Sequence, residues 1–231
     1  NLDVIDVDGA ANFAGDVTFA TGADIITGSA GTSNVRIGVN AGNSIASGGN
    51  FNTVVGDEAG TAITTGDFNT ALGYQTGDAL TVGTRNVALG YAALSSDTKG
   101  SKSVAVGINA LFSQNFTTAT DAFNTAVGTD AGVAVTTGVN NTLIGGLAGD
   151  ALTDADNNVA IGYQALTTED IGSRTVAIGY QTLFAQNSAT ATDTYNTAVG
   201  ALAGAEVTTG TGNTLIGGLA ADALTTGSDN V

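Results

Sequence analysis

Residues 124–145 read NTAVGTDAGVAVTTGVNNTLIG, and the phrase that opens this stretch at Asn124 returns in near-identical form at Asn141. Inside the phrase, apolar or β-branched residues alternate with period two and a glycine closes the run, which reads as a short strand ended by a turn. The phrase recurs as NVRIG, NTVVG, NTALG, NVALG, SVAVG, NTAVG, NTLIG, NVAIG, TVAIG, NTAVG and NTLIG. Its closing glycines are Gly38, Gly56, Gly73, Gly90, Gly107, Gly128, Gly145, Gly162, Gly179, Gly200 and Gly217, at successive spacings of 18, 17, 17, 17, 21, 17, 17, 17, 21 and 17. A period near 17 is too short for paired helices. The expected fold is therefore all-β, a parallel β-solenoid in which each repeat forms one rung and rungs stack about 4.8 Å apart.

Three steps of 17 and one of 21 make a super-repeat with a period of 72, giving blocks 52–123, 124–195 and a truncated 196–231. Duplication of a four-rung unit explains it. The array spans 34–231, and residues 1–33, with short alternating runs at Leu2–Val4 and Val17–Phe19, form a separate short-strand connector. The absence of an initiator Met and the phrase interrupted at Val231 suggest a segment of a longer chain.

Columns of equivalent residues convert the repeat into geometry. The second position is Val or Thr and the fourth is Val, Ile or Leu. Being i and i+2 they share one side of the strand, expected to be the coil interior. The fifth is always Gly, as a turn with positive φ requires. The first is Asn except at Ser103 and Thr175, and stacked Asn side chains can bond turn backbone and one another. Three residues past the closing glycine stands Ala, replaced by Thr76 and Thr182. The coil must be narrow there.

The third position faces opposite to the second and fourth. From Ala71 it runs Ala88, Ala105, Ala126, Leu143, Ala160, Ala177, Ala198 and Leu215, preceded by Arg36 and Val54. Read as an outer column, this apolar stripe predicts a trimer interface, because contiguous exposed apolar surface marks association.

Composition narrows function. The chain of 231 residues has 34 Gly and no Pro, Cys, Met, Trp or His, with five Lys and Arg against 21 Asp and Glu, a formal net charge of −16. Such a charge repels nucleic acid. No apolar run reaches the length of a membrane helix, so no membrane insertion is expected within this segment. Without His or Cys, the usual general base and thiol nucleophile are missing, and neither an enzyme nor a cofactor is expected. The acidic pairs Asp57 with Glu58, Asp154 with Asp156, and Glu169 with Asp170 read as solvated turn carboxylates. Weak Ca²⁺ binding is their alternative.

Phrases such as SVAVGINAL and NVALGYAAL resemble the repeats in head domains of trimeric autotransporter adhesins, and the NTAVG and NTLIGGLAG arrays are similar to those of bacteriophage tail fibres and related appendages. The resemblance covers 34–231 and implies a left-handed β-roll, a homotrimer and an extracellular fibre. Residues 1–33 look like connector segments of phage fibres. The expected function is a structural shaft of a virion appendage supporting host attachment, with a host-surface glycan or protein as partner. A bacterial cell-surface adhesin head is the alternative.

Two further features carry expectations. The 21-residue rungs run through LFSQNFTTATDAF and LFAQNSATATDTY, where four extra residues should bulge as loops. Phe112, Gln114, Asn115, Thr120 and Asp121, with Phe184, Gln186, Asn187, Thr192 and Asp193 at an offset of 72, are the candidate lateral contacts. A Thr column at Thr64, Thr81, Thr98, Thr136, Thr153, Thr208 and Thr225 reads as a turn-stabilising ladder, with an ice-binding face as its alternative.

Overall fold

The computed structural model describes residues 30–231; the connector reading of residues 1–33 falls almost wholly outside them. The array is an all-β parallel solenoid. Its main sheet has eleven strands stacked in chain order, each of three residues, from Val35–Ile37 to Thr214–Ile216. Register follows the sequence columns: Thr125 pairs with Thr142, Ala126 with Leu143 and Val127 with Ile144. A second, two-stranded sheet pairs Gly100–Ser101 with Thr120–Asp121. Ten steps of about 4.8 Å make the stack roughly 48 Å tall.

The Asn column is a buried ladder, interrupted at Ser103 and Thr175. Asn69 accepts at Oδ1 from the backbone N–H of Asn86 at 3.0 Å, and its Nδ2 donates to the carbonyl of Gly83 at 2.9 Å. Asn52 does the same for Asn69 at 2.9 Å and toward Gly66 at 2.8 Å. One side chain therefore ties two rungs together and closes its own turn, satisfying backbone groups that burial would otherwise strand.

The closing glycines adopt φ between +125° and +140°. A Cβ on Gly128 would lie 2.5 Å from the carbonyl oxygen of Gly145, and one on Gly162 would lie 2.3 Å from that of Gly179. Stacking and backbone conformation both exclude a side chain.

The inside and outside of the strand are the reverse of the sequence expectation. Ala71, Ala88, Ala105, Ala126, Leu143, Ala160, Ala177, Ala198 and Leu215 are buried within the single chain, so they fill the coil and cannot form a trimer interface. The second and fourth columns face outward, with Ile37, Leu72, Ile144 and Ile216 exposed. The physical reason is thickness. So short a rung encloses so little space that the third column meets the buried Ala column of Ala93, Ala110, Ala131, Ala148 and Ala165, and methyl groups mostly suffice. Larger Leu143 fits because the neighbouring turn has no side chain. A Cβ on Gly132 or Gly149 would come within 2.5 or 2.7 Å of its Cδ atoms.

Candidate functional site

A second interior column lies near the end of each rung and consists of Ile45, Ile63, Leu80, Asp97, Gln114, Val135, Leu152, Glu169, Gln186, Val207 and Leu224. Twice, at an offset of 72, an acid and a glutamine replace aliphatic residues, and all four polar side chains are buried. Gln114 Nε2 donates to Asp97 Oδ2 at 2.6 Å and to Ser103 Oγ at 3.0 Å, while its Oε1 accepts from Asn124 Nδ2 at 2.8 Å. In the next block Gln186 Nε2 donates to Glu169 Oε2 at 3.0 Å and to Thr175 Oγ1 at 3.1 Å, and Asn196 Nδ2 donates to Gln186 Oε1 at 2.8 Å.

These networks explain the two breaks in the Asn ladder. Ser103 and Thr175 are shorter than Asn and accept from the glutamine amide, and the glutamine carbonyl then supplies the acceptor that the missing Asn would have offered to Asn124 or Asn196. Gln114 and Gln186 are therefore internal braces, and as lateral contacts they are corrected by their burial. Glu169 is likewise not a solvated turn carboxylate, because it is fully buried and hydrogen-bonded. Asp97, unmarked in the sequence reading, is its counterpart. The signal was available: both acids interrupt an otherwise aliphatic column.

The same carboxylates anchor the start of each loop. Asp97 Oδ1 accepts from the N–H of Gly100 at 2.8 Å and of Phe116 at 3.3 Å. Glu169 Oε1 accepts from Gly172 N–H at 2.7 Å and Ser188 N–H at 3.1 Å. Beyond these anchors, residues 117–119 and 189–191 are exposed, so the extra length does bulge outward. Phe112 is exposed and Phe184 half-buried, whereas the buried aromatic of the first loop is Phe116. Asn115 and Asn187 are exposed.

Each loop leads into an exposed group of three. Lys102 Nζ pairs with Asp121 Oδ2 at 2.6 Å and sits 4.8 Å from the centre of the Phe123 ring. Arg174 pairs with Asp193 and lies 5.8 Å from the Tyr195 ring. Phe123 and Tyr195 are 51% and 60% exposed. Thr120 and Thr192 lie on the loop's exit, each bonding its own loop, at Thr118 O and Thr190 O. Phe123 and Tyr195 share a column with Phe51 and Phe68, whose rings stack 4.9 Å apart, and Arg85 lies over Phe68.

The remaining outer surface is apolar beside the strands and polar at the turns. Stacked pairs Tyr74 with Tyr91 and Tyr163 with Tyr180 flank the outward-facing columns of Val, Thr, Leu and Ile. The Thr hydroxyls are occupied by backbone. Thr81 donates to Thr98 O at 2.8 Å, Thr136 to Thr153 O at 3.1 Å and Thr153 to Asp170 O at 3.0 Å. Asp78 and its counterpart Asp150 have carboxyls held above the usual range chiefly by burial. Among the described residues no three acidic side chains converge as a metal site, and no helix is long and apolar enough to cross a membrane.

Comparison with family models, with curated proteins and with solved structures returns no match.

Proposed function

We propose that this chain is a non-enzymatic structural shaft of an extracellular homotrimeric fibre, a virion appendage that spaces or presents a host-attachment tip. The observation that carries the reading is the outer face of the main sheet. Its second and fourth columns hold only Val, Thr, Leu and Ile from Thr53 to Ile216, without a charge, on a chain of net charge −16. The strand face is roughly 48 Å by 10 Å, on the order of 500 Å², and Tyr74, Tyr91, Tyr163 and Tyr180 extend it beside four rungs. That matches the largest apolar patches found on monomers and approaches the ~800 Å² each partner gives a standard interface.

A second copy of the chain fits this face better than an unrelated partner, because only another stack with the same rung spacing meets every apolar ridge in register. Three such faces turned toward a common axis would bury all of them. The virion assignment rests on the likeness of the repeat phrases and of residues 1–33 to phage fibre segments. Light scattering tests the assembly: a mass three times the 22.5 kDa chain supports the reading, and a monomer at working concentration removes it. Replacing Val127, Ile161 and Ile178 with Lys should release folded monomers, since unpaired charge would otherwise be buried.

A further inference from the structure

We propose that each long rung carries a contact platform for a neutral, polyhydroxylated saccharide, centred on Phe123 in one block and Tyr195 in the next. This goes beyond the shaft reading and does not depend on it. Both rings stand in a column whose residues adopt positive φ, +51° at Phe123 and +52° at Tyr195. That conformation disfavours bulky residues, and the same column holds Asn140 and Asn157 in two regular rungs and Phe51, Phe68 and Arg85 in others. Each exposed ring is held against its ion pair, Phe123 by Lys102 and Tyr195 by Arg174, with the Tyr195 hydroxyl donating to Asp193 Oδ2 at 3.3 Å.

The chemistry around each ring selects the ligand class. An aromatic face offers a flat apolar surface for the C–H face of a sugar, while the adjoining ion pair offers both donors and acceptors for hydroxyls. Lys102 is already paired with Asp121, and Arg174 with Asp193, so each platform is close to neutral. An anionic polymer would find both of these cations already paired and would meet the −16 charge of the chain, with Lys99, whose Nζ donates to Thr117 O at 3.0 Å, adding one cation beside the first loop alone. A neutral glycan meets no such barrier. Thr117 and Thr118, and Thr190 in the next block, are exposed on the loop that precedes each platform.

The repeat makes the platform bivalent. Four rungs separate the two rings, about 19 Å along one side of the stack. The buried acids Asp97 and Glu169 hold the backbone at the start of both loops, so the two platforms stand at equivalent places on their rungs. A chain-like saccharide that spans both gains avidity, commonly about 10²- to 10⁴-fold over one site.

The test uses the whole chain and the variants Phe123→Asn, Tyr195→Asn and the double substitution, which place in each rung the residue that Asn140 and Asn157 already provide. Immobilised dextran, mannan and amylose are the probes, with alginate as the anionic comparison. The wild-type chain should be retained by at least one neutral polymer. Each single variant should lose tenfold or more in apparent affinity, and the double variant should lose retention while keeping its β circular dichroism and its assembly mass. Retention by alginate alone, no retention by any neutral polymer, or undiminished binding by the folded double variant would each overturn the proposal. Scattering on the same samples reads the shaft separately, so a monomer that still binds mannan would end the shaft reading and leave the platforms standing.

Discussion

Rungs 124–157 and rungs 158–195 share one backbone path, apart from the four-residue loop of the last rung, and fill it with opposite chemistry. In the first pair the late interior column is Val135 and Leu152 and the turn before it is Gly132 and Gly149; in the second the column is Glu169 and Gln186 and the turn is Leu166 and Leu183. Block 52–123 repeats the pattern, with Gly60 and Gly77 beside Ile63 and Leu80, then Leu94 and Leu111 beside Asp97 and Gln114. All eight turn residues sit at positive φ, between +48° and +58°. Apolar volume thus moves from one column to another when a polar brace enters the core. The exchange has a cost, since leucine in that conformation is strained by about 1–2 kcal/mol and glycine is not. What the polar rungs gain is a fixed origin for the loop and a place where the Asn ladder can be broken safely.

The largest effect should come from leaving a brace half made. Gln114→Leu removes the donor to Asp97 and the acceptor for Asn124, leaving the buried Asp97 Oδ2 and one amide N–H of Asn124 without partners, and should cost about 3–5 kcal/mol in denaturant unfolding. Converting the site fully, with Leu94→Gly, Asp97→Leu, Ser103→Asn, Leu111→Gly and Gln114→Val, reproduces the apolar rung and should recover most of that loss. If the five-fold variant is less stable than Gln114→Leu alone, the two columns do not compensate one another.

A smaller difference separates two glycines of the same turn. Adding a methyl at Gly149 places it 2.7 Å from Leu143 Cδ2 and 2.8 Å from Leu152 Cδ1, whereas one at Gly77 meets nothing within 4 Å. Gly77→Ala should cost about 1 kcal/mol from backbone conformation alone, and Gly149→Ala about 2–4 kcal/mol once overpacking is added. Equal losses in thermal or denaturant unfolding would show that interior volume is not what keeps Gly149.

The smallest expected change is at Asp78, whose carboxyl is raised by burial, with the charge of Glu58 adding to it. A raised carboxyl means that ionisation opposes folding, a cost present above the folded value and absent below the ordinary carboxylate range. Asp78→Asn should therefore stabilise the chain slightly at neutral pH, and the gain should vanish as the solution is acidified. A gain that persists unchanged at low pH would assign it to something other than ionisation.

Most of the architecture was legible because it is written in spacing. A closing glycine at a near-constant period of 17 fixes rung length and parallel register, and stacked Asn predicts the ladder that Asn52, Asn69 and Asn86 form. Orientation was not legible from hydrophobicity, because both faces of each strand are apolar. Size decides it instead: mostly Ala lies inside a thin coil, with Val54, Leu143 and Leu215 beside side-chain-free turns, and Val, Thr, Ile and Leu lie outside. The loops could be located from the 21-residue spacing, but their braces could not be read from the loop sequence alone, since Gln114 is polar and looks like surface. Only the column through Leu80, Asp97, Gln114 and Val135 exposes the substitution.

Single cysteines test that orientation directly, because the chain has no native cysteine. Ala160→Cys and Ile161→Cys differ by one residue and, in the structure, by the side of the strand they occupy, Ala160 being fully buried within its own chain. A thiol at 160 should resist maleimide until the chain unfolds and should never link two chains. A thiol at 161 should form an interchain disulfide on mild oxidation of the assembled protein. Rapid labelling or interchain linkage at 160, with 161 silent in both assays, would contradict the account.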